Sequence, residues 1–590
     1  MAELVTTDAA ALARAAGAHL DLVRAPFTLP RSRLLVFAAG AGGRRAAVDA
    51  AAPIEGVRVC TAEYERRLDD CEVFREIRVV DAAGAPMPVT DIQPQLIEFG
   101  GGVVTLSFAG PAALSIGLRG NGTADDGRAD DGHVVVELHG PRGDASAPVR
   151  RVPLGGAAAS IGLAIAPDRS ATVAVAGAAQ HREHAAASER LWLDWFANTP
   201  RVRPDLQEMT AFCWWVLGAN IVELPALGNA RAVVPSKIGY VGLWQWDAYF
   251  IAVGLRHGDP DLAREQLQLA FRFPSADGQL PDVVHEEGIL ATSDDLPAAD
   301  RETLRRAGSS IADPGSPVPL TKPPLAAWAL RKVMDATPGD DDWAKALLPT
   351  IARSQDWWFA VSDLDGDGMP EYGHPYSSGL DDSPIFDGPL PTTAPDLGAY
   401  LVLQDAELAR LAEHFGVADA GVADAHRARS AATLAKLLEL WDEDAGFFRA
   451  RAAGEPVGSY AVVSLLPLLT GALPAPVLDR LLAALDDERL FGTPWGVPTV
   501  AVDDPDFSPE RMWRGPVWIN INTLLVEGLR ASGQPERARE LAERTVALVT
   551  HGGGPHEYFN PYSGEKAETA TTAFGWSAAL FIELAVQLSA

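Results

Sequence analysis

The chain has 590 residues, 47% of them hydrophobic and 22% charged, with a formal net charge of -30. Such a chain is globular and too long for one core, so at least two domains are expected and large-scale disorder is not. The acidic balance argues against a nucleic-acid partner and against anionic membrane surfaces, both of which would repel it.

Only three cysteines occur, Cys60, Cys71 and Cys213, and their spacing suits no metal. Cys60 and Cys71 are able to pair, but free thiols are the simpler expectation. The first residues carry Asp8, Arg14, Asp21 and Arg24 among alanines, without a basic start followed by an apolar run. No apolar stretch is long enough to span a bilayer. A cytoplasmic location and no membrane partner are therefore expected. The oligomeric state is not legible.

Up to about residue 190 the pattern is one of short alternating runs. The segments 34–38, 75–80, 102–108, 133–138 and 171–176 read as strands, broken by Gly- and Asp-rich turns. The stretch 121–133 reads as a mobile surface loop. Residues 1–190 are expected to form an N-terminal β-sandwich accessory domain.

From residue 200 to 590 the period becomes helical. Helices are predicted at 205–222, 246–257, 259–273, 322–335, 342–362, 395–415, 421–440, 456–468, 475–486, 515–532, 534–551 and 569–588. The connections alternate. Those after odd-numbered helices are long and rich in Gly, Pro, Trp and Asp; those after even-numbered ones are short. Helical hairpins packed side by side place all the long loops at one end, where function usually sits. The predicted architecture is an (α/α)6 toroid, a six-hairpin catalytic domain with its site at one mouth.

The long loops carry the chemistry. The first ends in W-Q-W-D, where Trp244 and Trp246 offer flat rings to a sugar face, and Gln245 and Asp247 offer partners to its hydroxyls. Core packing and helix capping are the bland readings. The connection 274–321 is long enough for a lid. It holds G-Q-L-P-D with Gln279, then His285, Glu286 and Glu287, and leads to Lys322 of K-P-P.

The next loop opens D-L-D-G-D-G-M-P-E. Asp363, Asp365 and Asp367, with Gly368, copy the first half of a calcium loop, and Glu371 stands in for the missing twelfth-position glutamate. A structural calcium is one reading and an Asx-turn cluster the other. Further on, Asp381 and Asp382 lie in S-G-L-D-D-S-P, away from basic residues in the sequence. An acidic pair suits a carboxyl with a raised pKa, able to protonate a leaving oxygen.

In M-W-R-G-P-V-W, Arg514 stands between Trp513 and Trp518, fit to donate a rigid fork to a carboxylate or to sugar hydroxyls. The last loop holds H-E-Y-F-N-P, where Glu557 beside Tyr558 is placed to activate water. Trp576, in the helix that follows, closes the candidate sugar pocket.

Taken in order, W-Q-W-D at 244–247, K-P-P at 322–324, S-G-L-D-D-S-P at 378–384, W-R-G-P-V-W at 513–518 and H-E-Y-F-N-P at 556–561 resemble glycoside hydrolase family 63. The likeness is nearest to its mannosylglycerate and glucosylglycerate hydrolases, with trehalases more distant, and covers residues from about 205 to 590. It implies that Asp381 is the general acid and Glu557 the general base. It also maps sugar binding onto Trp246, Asp247, Arg514 and Trp576. Asp382 stands where relatives often have asparagine, so the acid is Asp381 or its neighbour. The implied reaction is inverting, exo-acting hydrolysis of a small α-glucoside or α-mannoside such as a glycosylglycerate. It needs no cofactor, and the two carboxyls should stand about 6.5–9.5 Å apart. The alternatives are an α-glucosidase or trehalase, and a non-catalytic carbohydrate-binding protein.

Overall fold

The computed structural model describes residues 2–590 apart from 42–51, 65, 120–133, 143–147, 287, 291, 297, 299–300, 303–304, 306–312, 318–319 and 417–419. The loop expected at 121–133 lies outside the described residues. The chain forms two compact units. The first comprises residues 1–223 with 236–241 and 571–573, the second residues 224–235, 242–570 and 574–590.

In the first unit an alanine-rich helix that the hydrophobic period does not announce, α1 (Ala2–Gly17), precedes the strands. They are β1 (Leu34–Ala38), β2 (Gly56–Thr61), β3 (Glu72–Val80), β4 (Val89–Gln93), β5 (Leu96–Phe99), β6 (Val104–Gly110), β7 (Ala113–Leu118), β8 (Val134–His139), β9 (Arg150–Leu154), β10 (Ser160–Ile165) and β11 (Ala171–Ala176). They make two antiparallel sheets, ordered β1-β2-β3-β8-β9 and β11-β10-β7-β6-β5-β4. Cys60, Cys71 and Cys213 are buried and free, so the Cys60–Cys71 bridge is not made.

Two helices follow, α2 (Ala178–Phe196) and α3 (Pro204–Ala219). His181 fixes α2 to the second sheet. Its ring bonds Thr105 Oγ1 at 2.7 Å and Ser115 Oγ at 2.8 Å, and burial pulls its pKa down to about 4, so it packs as a neutral imidazole. Trp195 Nε1 donates to Trp214 O at 2.8 Å and Trp214 Nε1 to Trp195 O at 2.9 Å, a reciprocal clamp between α2 and α3. That clamp explains why the unit runs on to Glu223, past the change of period near 190. The first predicted hairpin helix belongs by its contacts to this unit.

The second unit holds α4 (Gln245–Leu255), α5 (Pro260–Ala270), α6 (Ala326–Asp335), α7 (Asp342–Val361), α8 (Pro395–His414), α9 (Ala420–Leu438), α10 (Ala475–Asp486), α11 (Ile519–Ala531), α12 (Pro535–His551) and α13 (Gly575–Ser589). Packing runs from α4 to α6, α8, the 3-10 turn Leu466–Thr470, α11 and α13, and α13 returns to α4. The closing contact is tight: a Cβ on Gly254 of α4 would lie 2.4 Å from Ala579 Cα. The helix predicted at 456–468 is not one. Two short 3-10 turns, Val462–Ser464 and Leu466–Thr470, replace it, because Pro456, Gly458 and Pro467 interrupt α-helical hydrogen bonding.

At the C-terminal ends of these inner helices lies a buried ionic knot. Glu583 of α13 accepts from Arg256 Nη2 at 2.7 Å, Lys332 Nζ at 3.0 Å, His257 Nε2 at 2.6 Å and Gln587 Nε2 at 2.7 Å. Among the described residues, no helix is long and apolar enough to cross a membrane.

Candidate active site

The predicted motifs lie where inner elements begin. W-Q-W-D opens α4. Half-buried Trp244 pairs with Val283 in a short strand, and Gln245 N donates to Asp282 O at 2.9 Å, so the G-Q-L-P-D loop is stitched to the helix start. Trp246 is buried, with its ring centroid 5.3 Å from Trp576, edge-on, and 6.1 Å from Trp513. Gln245 turns to another side. It lines a water-sized space of about 10 Å³ with Tyr249, Lys322 and Trp357.

The loop between α7 and α8 carries the acidic pair. Tyr372 and Thr392 exchange backbone hydrogen bonds at its base, at 2.9 and 3.0 Å, and Tyr372 Oη donates to Asp396 at the start of α8. A 3-10 turn, Pro375–Ser378, then leads through Gly379 to half-buried Asp381. Asp382 is committed elsewhere. One of its oxygens accepts from Trp513 N at 2.9 Å and the other from Arg511 Nε at 3.1 Å. Between those partners Met512 is held at a φ of +30°, a conformation rare outside glycine.

Arg514 Nη1 and Nη2 both donate to Asp387, which ends the same loop. The carboxylate that this arginine holds is thus one of the protein's own. Neither Arg511 nor Asp387 stood out in the sequence, because only the fold brings their loops together.

The base loop joins the aromatic wall through its backbone. Val517 N donates to Phe559 O at 2.8 Å and Phe559 N to Val517 O at 3.0 Å. Trp518 is thereby stacked between Trp513, at 3.6 Å, and Tyr558, at 4.7 Å. Trp518, expected to bind substrate, is packed between these two rings within the aromatic wall. Glu557 is 3% exposed. Its neighbour His556 is bound through its carbonyl to Ser577 Oγ of α13, one residue from Trp576. Trp576 Nε1 is buried without a hydrogen-bond partner among the described residues.

Electrostatics connect the motifs. Burial pulls the Lys322 ammonium down, but Asp282, Asp381 and Asp247 outweigh it and hold the pKa above the ordinary lysine value. Lys322 Nζ lies 3.0 Å from Asp282 Oδ1 and donates to Tyr376 O at 2.5 Å, so two of its three donors are engaged by the protein. Burial pushes Asp247 well above the ordinary carboxylate value. Lys322 pulls it down, while Asp282 and Glu557 push it further up. Asp247, Lys322, Asp381 and Glu557 thus belong to one interacting cluster.

Gln279 donates to Leu320 O at 3.0 Å and lines a cavity of about 470 Å³ with Arg272, Asp282 and Leu290. His285 is buried, Glu286 is half-buried and Glu287 lies outside the described residues. Asp363, Asp365 and Asp367 bring one oxygen each within 4.8 Å of one another. Glu371 is not of that cluster; its oxygens accept from Leu364 N and Thr393 Oγ1.

Residues 240–577, which contain all five motifs, match the family model described as the mannosylglycerate hydrolase MGH1-like glycoside hydrolase domain. The chain is 31% identical over 421 residues to the mannosylglycerate hydrolase of Thermus thermophilus, spanning 60% of this chain and 96% of that protein. It is 25% identical over 438 residues to the glucosylglycerate hydrolase of Mycolicibacterium hassiacum, spanning 60% and 94%. A crystal structure of a family 63 mannosylglycerate hydrolase, also from Thermus thermophilus and in complex with Tris and D-glycerate, aligns with a TM-score of 0.53 at 25% identity, covering 63% of this chain and 98% of that one. A match of this extent, through every motif that carries the chemistry, makes the chain a member of the mannosylglycerate hydrolase MGH1-like glycoside hydrolase family.

Proposed function

We propose that this glycoside hydrolase is an inverting, exo-acting enzyme for a small α-glycoside of glycerate, with Asp381 as general acid and Glu557 as general base. The observation that carries the reading is the charge cluster: Asp247 interacts with Glu557 and with Lys322, and Lys322 with Asp381. The cluster links two carboxylates remote in sequence through Asp247 and Lys322, which supports their acting on one buried, aromatic-walled site. Asp382 has both oxygens engaged by Arg511 and Trp513, which favours Asp381 as the donor. One lysine among Asp247, Asp282 and Asp381 cannot neutralise all three, which favours retention of protons by the cluster.

In the reaction Asp381 gives its proton to the glycosidic oxygen as that bond breaks. Glu557 takes a proton from the water that attacks the anomeric carbon from the opposite face. The sugar leaves with inverted configuration and the aglycone as the free hydroxy acid. The substrates named for the two relatives, mannosylglycerate and glucosylglycerate, are the candidates. Water is the nucleophile, so no catalytic cofactor is proposed, nor any nucleic-acid or membrane partner.

We read the first unit's two sheets as the accessory β-sandwich of residues 1–190. Residues 200–590 are read as the (α/α)6 toroid, supported by the closed packing of the inner elements. The free cysteines favour the cytoplasm. The three clustered aspartates suit a hard, oxygen-seeking cation, so Asp363, Asp365 and Asp367 are proposed to hold a structural calcium.

The test is release of reducing sugar from glucosylglycerate, mannosylglycerate, trehalose, kojibiose and nigerose side by side, with the first anomer followed by NMR. Asp381→Asn and Glu557→Gln should each abolish turnover and keep sugar binding. An inactive Asp382→Asn beside an active Asp381→Asn would move the acid by one residue. A first-formed α-anomer would overturn inversion.

A further inference from the structure

The cations around the acid and base loops are unequally occupied. Lys322 gives two of its three donors to Asp282 and Tyr376 O. Lys566 Nζ donates to the carbonyls of Ala567, Glu568 and Ala570. Arg514 gives both terminal nitrogens to Asp387, and only its buried Nε has no hydrogen-bond partner among the described residues. Arg511 differs. Among the described residues its one side-chain hydrogen bond is from Nε to Asp382, and its side chain is 60% exposed. A guanidinium held by Nε alone keeps Nη1 and Nη2 as a fork, the geometry that matches a carboxylate.

We propose that Arg511 recognises the carboxylate of an anionic aglycone, with Asp382 as the residue that positions it. This rests on the reading of Asp381 as the acid. A proton delivered from Asp381 goes to the glycosidic oxygen. In a 2-O-glycosylglycerate the carbon bearing that oxygen also bears the carboxylate, so the anion arrives beside the acid. Asp382 is the next residue along the chain, and its carboxylate anchors Arg511. The anchor is itself tied to the aromatic wall, since Trp513 N donates to the other oxygen of Asp382 and Trp518 Nε1 donates to Met512 O at 2.8 Å. A cation needs such an arm here, because the cluster of Asp247, Asp282, Asp381 and Glu557 would otherwise repel an anionic substrate.

The experiment compares kcat/KM for glucosylglycerate and mannosylglycerate with that for the neutral methyl α-glucoside and methyl α-mannoside, in the wild type, Arg511→Met, Arg511→Lys and Asp382→Asn. D-glycerate and glycerol are compared as inhibitors of neutral-substrate hydrolysis. A charged hydrogen-bonded pair is worth roughly a 10- to 100-fold preference. Arg511→Met should lose a preference of that size, through KM, and weaken D-glycerate inhibition in parallel. Arg511→Lys should recover part of both, and Asp382→Asn should move both in the direction of Arg511→Met. A wild type without preference for the anionic substrate overturns the inference. So does an Arg511→Met enzyme that keeps the preference and the D-glycerate inhibition within about twofold. If neither glycosylglycerate is hydrolysed, the functional reading falls by itself, and D-glycerate inhibition still decides whether Arg511 takes the carboxylate.

Discussion

Gly379 lies directly against the ring of Trp246: a Cβ built on it would come within 2.2 Å of Trp246 Cζ2, and its φ is +72°. The loop that carries Asp381 is thereby seated on a residue of the first turn of α4, and only glycine permits both the backbone and the contact. Gly379→Ala should cost roughly 1–3 kcal/mol in backbone strain and about as much again in overpacking. The thermal midpoint should fall, and kcat should fall by more than about tenfold, because a 1 Å displacement of the acid loop is enough to spoil proton transfer. Calorimetry and steady-state rates on the same preparation check this.

The knot around Glu583 sets a second expectation. Burial pushes this carboxyl up, but Lys332, His257 and Arg256 outweigh it and hold its pKa well below the ordinary 4.5. A depressed carboxylate pKa stabilises the fold above 4.5, and the contribution is lost as the pH falls through the folded-state value. Glu583→Gln leaves Arg256 without its counter-charge and Lys332 with Glu527 alone, and should cost about 3 kcal/mol at neutral pH. Urea unfolding across pH should show the two proteins drawing together in acid.

Asp396 behaves in the opposite sense. Burial pushes its pKa from 3.8 up to about 7, against the lowering effect of the hydrogen bond from Tyr372. The sign follows: the folded state holds the proton more tightly, so this contribution is fully present below pH 3.8 and is lost as the pH rises through about 7. Over that window the loss amounts to roughly 4 kcal/mol. Asp396→Asn should flatten this part of the stability profile, and the variant should gain on the wild type above pH 7, measured by chemical denaturation.

For the proposed calcium, burial and then Asp365 raise the pKa of nearby Glu371. A bound cation would relieve such repulsion among the acids. Chelator should lower the thermal midpoint, and added calcium should restore it, with elemental analysis returning the metal. An unchanged midpoint and no metal would leave the aspartates as turn formers. Their oxygens already accept from the backbone of Asp367, Gly368 and Met369.

Much of the second unit was readable from period and loop length, since apolar spacing records a buried helix face directly. The failure at 456–468 has a local cause: apolar residues there suit a buried segment, but its prolines and glycine outrank the period. The site was legible as motifs and not as partnerships. Lys322 and Arg514 meet carboxylates that only the fold brings to them: Asp282 stands earlier in the same connection as Lys322, and Asp387 lies in another loop from Arg514. That Trp518 lies against Tyr558 is not legible either, because the two residues belong to different segments. The helix α1 escaped notice because alanine carries little amphipathic signal.

The paired amides of Val517 and Phe559 have a bearing on how product gets out. Because they bond each other in both directions, the aromatic wall and the segment bearing Glu557 are joined as one ribbon. The acid side is fastened instead by side chains, Asp382 to Arg511 and Asp387 to Arg514, and Arg511 and Asp387 are exposed to salt and water. Such ties are individually weak. Egress of the freed sugar should therefore proceed by yielding of residues 379–387 while the ribbon stays shut, and backbone amides there should exchange with deuterium sooner than those of Val517 and Phe559.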